Sequence, residues 1–338
     1  RDPEMSRGLG DVYKRQRIFM PVETELWPNF LRAIRERNIP VMMVNGRISE
    51  KSVKTYRYLY GIWDDMLNTV SRFCMQSSID ADYISHLGAD PKKIYVTGNT
   101  KFDQTYAEVT PEDLENYKKE LGIENAYPVI VAGSTHPTEE KVLFDVFNEI
   151  IKSYPEARLV IAPRKPGRAD EISKLAKQYH WESGFRSKLL EIKGARSKYP
   201  VLLIDTIGEL GRIYSVGDVV FVGGSLIKHG GHNVLEPAAH AKPILVGPNM
   251  QNFKDSYALL SKVGACKMIN NSAELTKEVL DIVGNDERRL QMGAASLQVI
   301  KENRGAAVRS IEYLQDLLTL TTCLLYTSPS PRDISGSR

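Results

Sequence analysis

Cysteine is scarce in this 338-residue sequence, with three in all. They lie far apart, which excludes a disulfide framework and the close spacing of a zinc site. Cys74 and Cys266 read as small core residues of a reducing compartment. No apolar run is long enough to span a bilayer, and no low-complexity tract is present. Charge of one sign is not in excess: the net charge is +3. That balance carries no signature of a nucleic-acid or membrane-binding surface, and no nucleic-acid partner is expected. No Gly-Lys-Ser/Thr follows a glycine-rich loop, so a Walker A loop is excluded. No Gly-x-Gly-x-x-Gly follows a first strand, so the dinucleotide fingerprint is excluded too.

The two ends are related in an unusual way. A DNA string that encodes Ser6 to Gln16 has a reverse complement that, read one base into frame, encodes Cys323 to Arg332. This points to adaptor DNA read on opposite strands. Residues 1–16 and 323–338 are therefore set aside from fold reasoning. They hold six of the 45 Lys/Arg and four of the 42 Asp/Glu, so the remainder is close to neutral. The expectation is a piece of a longer protein, opening on an apolar strand at Ile18 to Val22.

Short apolar runs alternate with amphipathic stretches, the pattern of an α/β protein. Strands are expected at 18–22, 40–45, 72–76 and 93–97, with helices at 29–38, 49–70 and 80–87 between them. A polar helical stretch at 110–127 precedes a second series. Its strands are expected at 128–132, 157–162, 201–205, 218–222, 243–246 and 266–269. A helix at 273–283 and two more close the chain. Two domains follow, 17–115 and 116–300, with a closing helix at 301–322. In parallel α/β sheets ligands sit beyond the carboxyl ends of the strands, so the residues after each run are the informative ones.

In the second series the first run leads to Gly133-Ser134-Thr135-His136 and a helix carrying Glu139 and Glu140. Small residues let a backbone approach an anion; equally, Ser134 or Thr135 can be a simple cap. The next run ends in Pro163-Arg164-Lys165-Pro166-Gly167-Arg168, suited to a phosphate or carboxylate or to solvent. Asp205-Thr206-Ile207-Gly208-Glu209-Leu210 reads as a cap, with Gly208 leaving room for a flat ring or a ribose. The most specific stretch is Gly223-Gly224-Ser225 followed by Gly230-Gly231-His232-Asn233-Val234-Leu235-Glu236-Pro237. Its glycines bare backbone N–H groups, and Glu236 is placed to accept ribose hydroxyls. A buried Glu has no inexpensive structural role. His232 is open between a ligand contact and a local backbone partner. Gln251-Asn252-Phe253 reads as a turn.

In the first series Glu23-Thr24-Glu25 follows a strand, so only one of its carboxylates faces a cleft. Asn45-Gly46-Arg47 and Gly98-Asn99-Thr100-Lys101-Phe102-Asp103 follow two others. Glu23, Arg47 and Lys101 are expected to converge. Asp80-Ala81-Asp82 imitates a metal-binding DxD motif but opens a helix, where an acidic cap is expected; no metal is expected there or elsewhere. The basic run Arg32, Arg35, Arg37, Arg47, Lys51 and Lys54 faces either anionic headgroups or solvent.

In order and spacing these motifs resemble the 3-deoxy-D-manno-octulosonic acid (Kdo) transferases of lipopolysaccharide synthesis. The resemblance rests on Glu23 to Asn29, Asn45 to Ser49, Val96 to Asp103, Gly133 to His136, Ala162 to Arg164, Asp205 to Leu210 and Phe221 to His240. It implies a GT-B architecture, two Rossmann-like domains facing a cleft, the first one incomplete here. It implies inverting, metal-independent and cofactor-free transfer of Kdo from CMP-Kdo to a lipid A precursor. It places Pro163, Arg164, Ile207, Gly208, Glu209, Asn233, Val234, Leu235 and Glu236 on CMP. Glu23 and Lys101 would stabilise the transition state, with Arg47, Ser134, His136, Gly224 and Ser225 as further cleft residues. The expected site of action is the cytoplasmic face of the bacterial inner membrane, reached at its surface or through an anchor outside this chain. The family's general base is a glutamate in a Ser-x-Gly-Glu turn, which this sequence lacks before Ile18, so the polypeptide as given is expected to be inactive. Two alternatives stand beside this reading: a UDP-sugar 2-epimerase of the same architecture, and a nucleotide-binding protein without catalysis.

Overall fold

The computed structural model describes residues 17–48, 53, 62–104, 109–191 and 199–327. The chain forms two compact units, Arg1–Gln104 with Asn303–Arg338, and Thr105–Glu302. The division thus falls earlier than the expected boundary at 115, and the closing helix belongs to the first unit.

The first unit holds a parallel sheet in the order β1 (Val41–Gly46), β2 (Val70–Met75), β3 (Ile94–Val96). The run at 18–22 is not a full strand; it meets β1 through two parallel bridges, Phe19 to Val41 and Val22 to Val44. Helices α1 (Pro28–Arg35), α2 (Ile62–Thr69) and α3 (Ser78–His86) accompany the strands. Leu31, Val41, Met43, Phe73 and Ile84 fill one core. Met42 and Cys74 point to the opposite face, as the two-residue strand period requires. There they meet Leu317 of the C-terminal helix α13 (Ala306–Thr327), which is why that helix returns to this unit. Arg72 lies 5.6 Å from the ring centroids of both Tyr95 and Tyr313. The acidic cap expected at Asp80-Ala81-Asp82 is replaced by Ser77: its hydroxyl accepts from the Asp80 N–H, while Asp80, in the first turn, accepts from the Ile48 N–H at 2.9 Å.

The second unit opens with α4 (Pro111–Leu121). Thr110 and Asp113 form a reciprocal capping box at its start, and Gly122 ends it in the left-handed region. Tyr117 and Leu121 of this helix are buried, so the expected linker is part of the second unit. Seven parallel strands follow: β4 (Val129–Thr135), β5 (Arg158–Pro163), β6 (Ser183–Phe185), β7 (Val201–Leu203), β8 (Val219–Val222), β9 (Ile244–Val246) and β10 (Cys266–Met268). Their order in the sheet is β10-β9-β8-β4-β5-β7-β6. Between them run α5 (Glu139–Ser153), α6 (Ala169–Gln178), α7 (Arg186–Glu191), α8 (Leu210–Val216), α9 (Leu235–Ala239), α10 (Lys254–Lys262) and α11 (Ser272–Val283), and α12 (Asp286–Asn303) follows. The strands β4, β7, β8 and β9 are buried along their whole length, which explains their unbroken Val/Ile/Leu runs. Ile130, Phe144, Phe147, Leu159, Phe221 and Val279 belong to the main core.

From β4 the chain builds outward through β5, then returns to lay β8 against the other side of β4. That reversal is the topological switch point, and it opens a crevice at the carboxyl ends of β4 and β8. Among the described residues, no helix is long and apolar enough to cross a membrane.

Candidate functional site

At the switch point, β4 runs further than its apolar residues suggested, through Thr135. Gly133 is required there: a Cβ would lie 2.0 Å from the Tyr214 hydroxyl oxygen. Burial, and then the Glu236 carboxylate, push the pKa of that hydroxyl upward, so it stays protonated beside Ser134. Ser134 is buried and left-handed, with φ 55°, a conformation that costs a non-glycine residue about 1–3 kcal/mol. Neither Ser134 nor Thr135 caps α5, whose N-cap is Thr138 without a side-chain bond.

Glu139, the first residue of that helix, directs its carboxylate elsewhere. Its side chain is 1% exposed and accepts the N–H groups of His136 (3.0 Å), Gly224 (2.7 Å), Ser225 (3.1 Å) and Leu226 (3.0 Å). One carboxylate thus ties the end of β4 to the loop after β8. Burial raises its pKa above the usual range, and the four N–H groups oppose the rise. The N–H groups of Gly224 and Ser225 are therefore committed to the protein. Neighbouring Glu140 is equally buried and pairs with Arg168 at 2.7 Å while accepting from Thr135 Oγ1 at 2.9 Å.

The loop after β8 is pinned along its length. Gly231 N–H donates to the Gly224 carbonyl at 2.8 Å, and Asn252 N–H donates to Gly230 at 2.9 Å. Asn252 Nδ2 reaches the His229 carbonyl at 3.2 Å, so the expected turn at 251–253 is a brace for this loop. His136, His229 and His232 gather above it. The His136 and His232 rings are nearly parallel, 6° apart, and meet head-on, with their Nε2 atoms at 2.8 Å. Gly224 is their floor: its φ is 67°, and a Cβ would sit 2.9 Å from His232 Cδ2. Burial depresses the pKa of both His136 and His232, the latter to about 4; the charges of His229 and Arg164 add to both shifts, and that of His136 adds to the shift of His232.

Further along, Asn233 Oδ1 accepts the Leu235 N–H at 3.0 Å, and its Nδ2 donates to Glu236 at 3.1 Å. Burial lifts the Glu236 pKa, against Asn233 and Arg164. Val234 and Leu235 are buried at 0% and 1%, so only their backbones can meet a ligand. Pro163 ends β5, and the Arg164 N–H is anchored to the Thr135 carbonyl at 3.0 Å. The Arg164 side chain is exposed, in contrast to Arg168, which Glu140 and Glu171 hold.

The stretch 205–209 departs from the expected cap. Asp205 accepts from Ser187 N–H and hydroxyl (2.8 and 2.5 Å). Glu209 accepts from the buried Arg186 at 3.0 Å. Ile207 is 89% exposed, and Gly208, at φ 89°, faces open space.

In the first unit, Lys101 Nζ and a Glu23 carboxylate oxygen stand 3.7 Å apart, each side chain 42% exposed. Glu23 is left-handed at φ 59°. Glu25 turns away and accepts from Trp27 Nε1 at 2.5 Å. Lys101 sits on a short 3-10 turn, Thr100–Asp103, capped by Asn99. Asn45 Oδ1 accepts the Thr100 N–H, and Asp103 accepts the N–H groups of Gly305 and Ala307. Arg47, just after β1, is partly buried. Lys51 and Lys54 lie outside the described residues. Tyr214 and His229 were not singled out by the sequence pattern. The glycine opposite Tyr214 and the His-Gly-Gly-His spacing were the available signals.

Two Rossmann-like α/β units place this chain in the GT-B class, whose members handle nucleotide sugars. A family model described as 3-deoxy-D-manno-octulosonic-acid transferase (kdotransferase) matches residues 11–104. A 3-deoxy-D-manno-octulosonic acid transferase of Haemophilus influenzae is 30% identical over 307 residues, which covers 90% of this chain and 71% of that protein. The solved C-terminal CMP-Kdo binding domain of WaaA from Acinetobacter baumannii is similar with a TM-score of 0.51 and 26% identity, over 56% of this chain and 96% of that one. A UDP-N-acetylglucosamine 2-epimerase shares the fold at TM-score 0.55 and 13% identity, over 87% and 74% of the two chains. The chain belongs to the 3-deoxy-D-manno-octulosonic acid transferase family.

Proposed function

We propose that this chain binds CMP-Kdo at the crevice beside β4 and β8 and serves transfer of Kdo to a lipid A precursor. The observation that carries the reading is the exposed Arg164, held by its backbone beside Glu236 and a pinned glycine-rich loop. A guanidinium suits the CMP phosphate, and the Glu236 carboxylate suits the two ribose hydroxyls. Pro163, Ile207, Gly208, Glu209 and Asn233 to Leu235 complete the contacts, largely through backbone.

The reaction is a single displacement with inversion. An acceptor hydroxyl oxygen bonds to the anomeric carbon of Kdo as the bond to the CMP phosphate oxygen breaks. A base takes the hydroxyl proton, and CMP departs with the electron pair. Glu23 and Lys101 keep the transition-state role that the resemblance gives them, as charged groups near developing charge. The transfer itself calls for no oxygen-ligated divalent ion, because Arg164 and backbone N–H groups meet the phosphate.

The acceptor is an anionic glycolipid at a membrane surface, placed at the cytoplasmic face of the bacterial inner membrane. Met20, Val22, Trp27 and Phe30 are 44–64% exposed in the first unit, and Arg32 follows on α1. Aromatic and cationic side chains on one short stretch favour the headgroup boundary.

Calorimetric titration with CMP and UDP tests the donor. CMP should bind more tightly, and Arg164→Ala should weaken it about tenfold or more, the worth of a charge-assisted hydrogen bond. Tighter UDP binding would favour the epimerase reading. Unchanged CMP affinity in the variant would remove Arg164 from the site.

A further inference from the structure

The three histidines above the glycine loop are more than the donor reading needs. Each contributes one ring nitrogen to a set whose members all lie within 4.8 Å of one another. His136 follows β4, and His229 and His232 lie three residues apart in the loop after β8. Their ring centroids are 4.1, 5.1 and 5.4 Å apart. The backbone beneath them is fixed from both sides. Glu139 holds the N–H of His136 and those of Gly224 to Leu226, and Asn252 holds the carbonyl of His229. Ligands on a braced backbone lose little freedom when an ion binds.

We propose that His136, His229 and His232 form a binding site for a transition-metal ion of the zinc type. Three imidazole nitrogens make one face of a tetrahedron, with the fourth position open on the side of the exposed His229. The donor set is nitrogen only, which selects zinc, cobalt, nickel or copper over magnesium, calcium or manganese. Each ligating nitrogen must present its lone pair, so the proton shared in the Nε2–Nε2 contact moves to another ring nitrogen or leaves when the ion binds. Direct contact of the two Nε2 atoms at 2.8 Å has to open by roughly half an ångström to admit an ion at the usual zinc–nitrogen distance of about 2.0–2.1 Å. Gly224, with no side chain beneath the rings, allows that adjustment. Arg164, Lys165 and Arg168 face His136 and disfavour a bare cation. An anion in the fourth position offsets them. The proposal runs against the expectation of no metal at Asp80, Asp82 or elsewhere in the chain.

The test is titration of the tag-free full chain with Co2+, without nucleotide, followed by the visible ligand-field band and by displacement with Zn2+. One ion per chain should bind with the intense band of a four- or five-coordinate site. Zn2+ should bleach it, and excess Mg2+ should not. His229→Ala, His136→Ala and His232→Ala should each weaken binding by at least about tenfold, while His86→Ala and His180→Ala leave it unchanged. His229 is exposed, so its variant should keep the wild-type unfolding midpoint and remains informative even if the other two destabilise the loop. Absence of the band, wild-type affinity in His229→Ala, or displacement by Mg2+ would overturn the proposal. Because no nucleotide is present, such a failure leaves the CMP titration untouched.

Discussion

Glu139 and Glu23 both stand just beyond strand ends, and the two units treat them in opposite ways. Glu139 is sealed at 1% exposure and spends its charge on four backbone N–H groups. Glu23 is 42% exposed and faces a lysine at 3.7 Å with no backbone bond to its carboxylate recorded among the described residues. The first charge is used up in building a loop. The second is open to solvent, and its backbone is left-handed at φ 59°. Burial therefore separates a charge bound up in the backbone from a charge left open to solvent.

That contrast breaks most readily at Glu139. Glu139→Ala strands four N–H donors, and a buried unsatisfied donor costs about 1–3 kcal/mol. A loss of about 3 kcal/mol or more in urea unfolding is expected, with Glu139→Gln falling less because one carbonyl oxygen remains. A loss under about 1 kcal/mol would show that water replaces the carboxylate. A smaller effect is expected from His232. Its folded-state pKa is held near 4 against an ordinary 6.5, so the unfolded chain takes up the proton first as pH falls. The stability it contributes is complete above about 6.5, declines through that window, and is lost below about 4. His232→Gln should flatten the slope of unfolding free energy between those pH values. The smallest effect belongs to the first unit. Glu23→Gln and Lys101→Met should each change stability by no more than about 0.5 kcal/mol, as for exposed pairs generally. A larger change in denaturant midpoint would mean that this pair is structural after all.

Much of the fold was legible because strands buried on both faces must be continuously apolar. The runs that became β4, β5, β7, β8 and β9 carry that mark. β6 does not: Ser183-Gly184-Phe185 is three residues at a sheet edge, and it pairs because Gly184 lets Tyr199 lie against it. The extent of β4 through Thr135 was equally hidden, since Gly133 and Ser134 break the apolar run and glycine is depleted in strands. At the site, the glycines and Glu236 announced themselves by chemistry. The caps assigned to Ser134 and Asp205 did not survive, because each side chain found a partner distant in sequence: Tyr214 for Ser134, Ser187 for Asp205.

The order of apolar runs and the residues that follow them already specified a pair of α/β units, their family resemblance and the loops beyond the strand ends. Those are properties of local period and of motif order, which a linear string carries. Folding alone decided that α13 returns to the first unit, that Glu139 joins the ends of β4 and β8, and that three histidines from two loops converge. Each of these is a meeting of groups far apart in the chain, set by which strands lie side by side, and no local pattern encodes such a meeting.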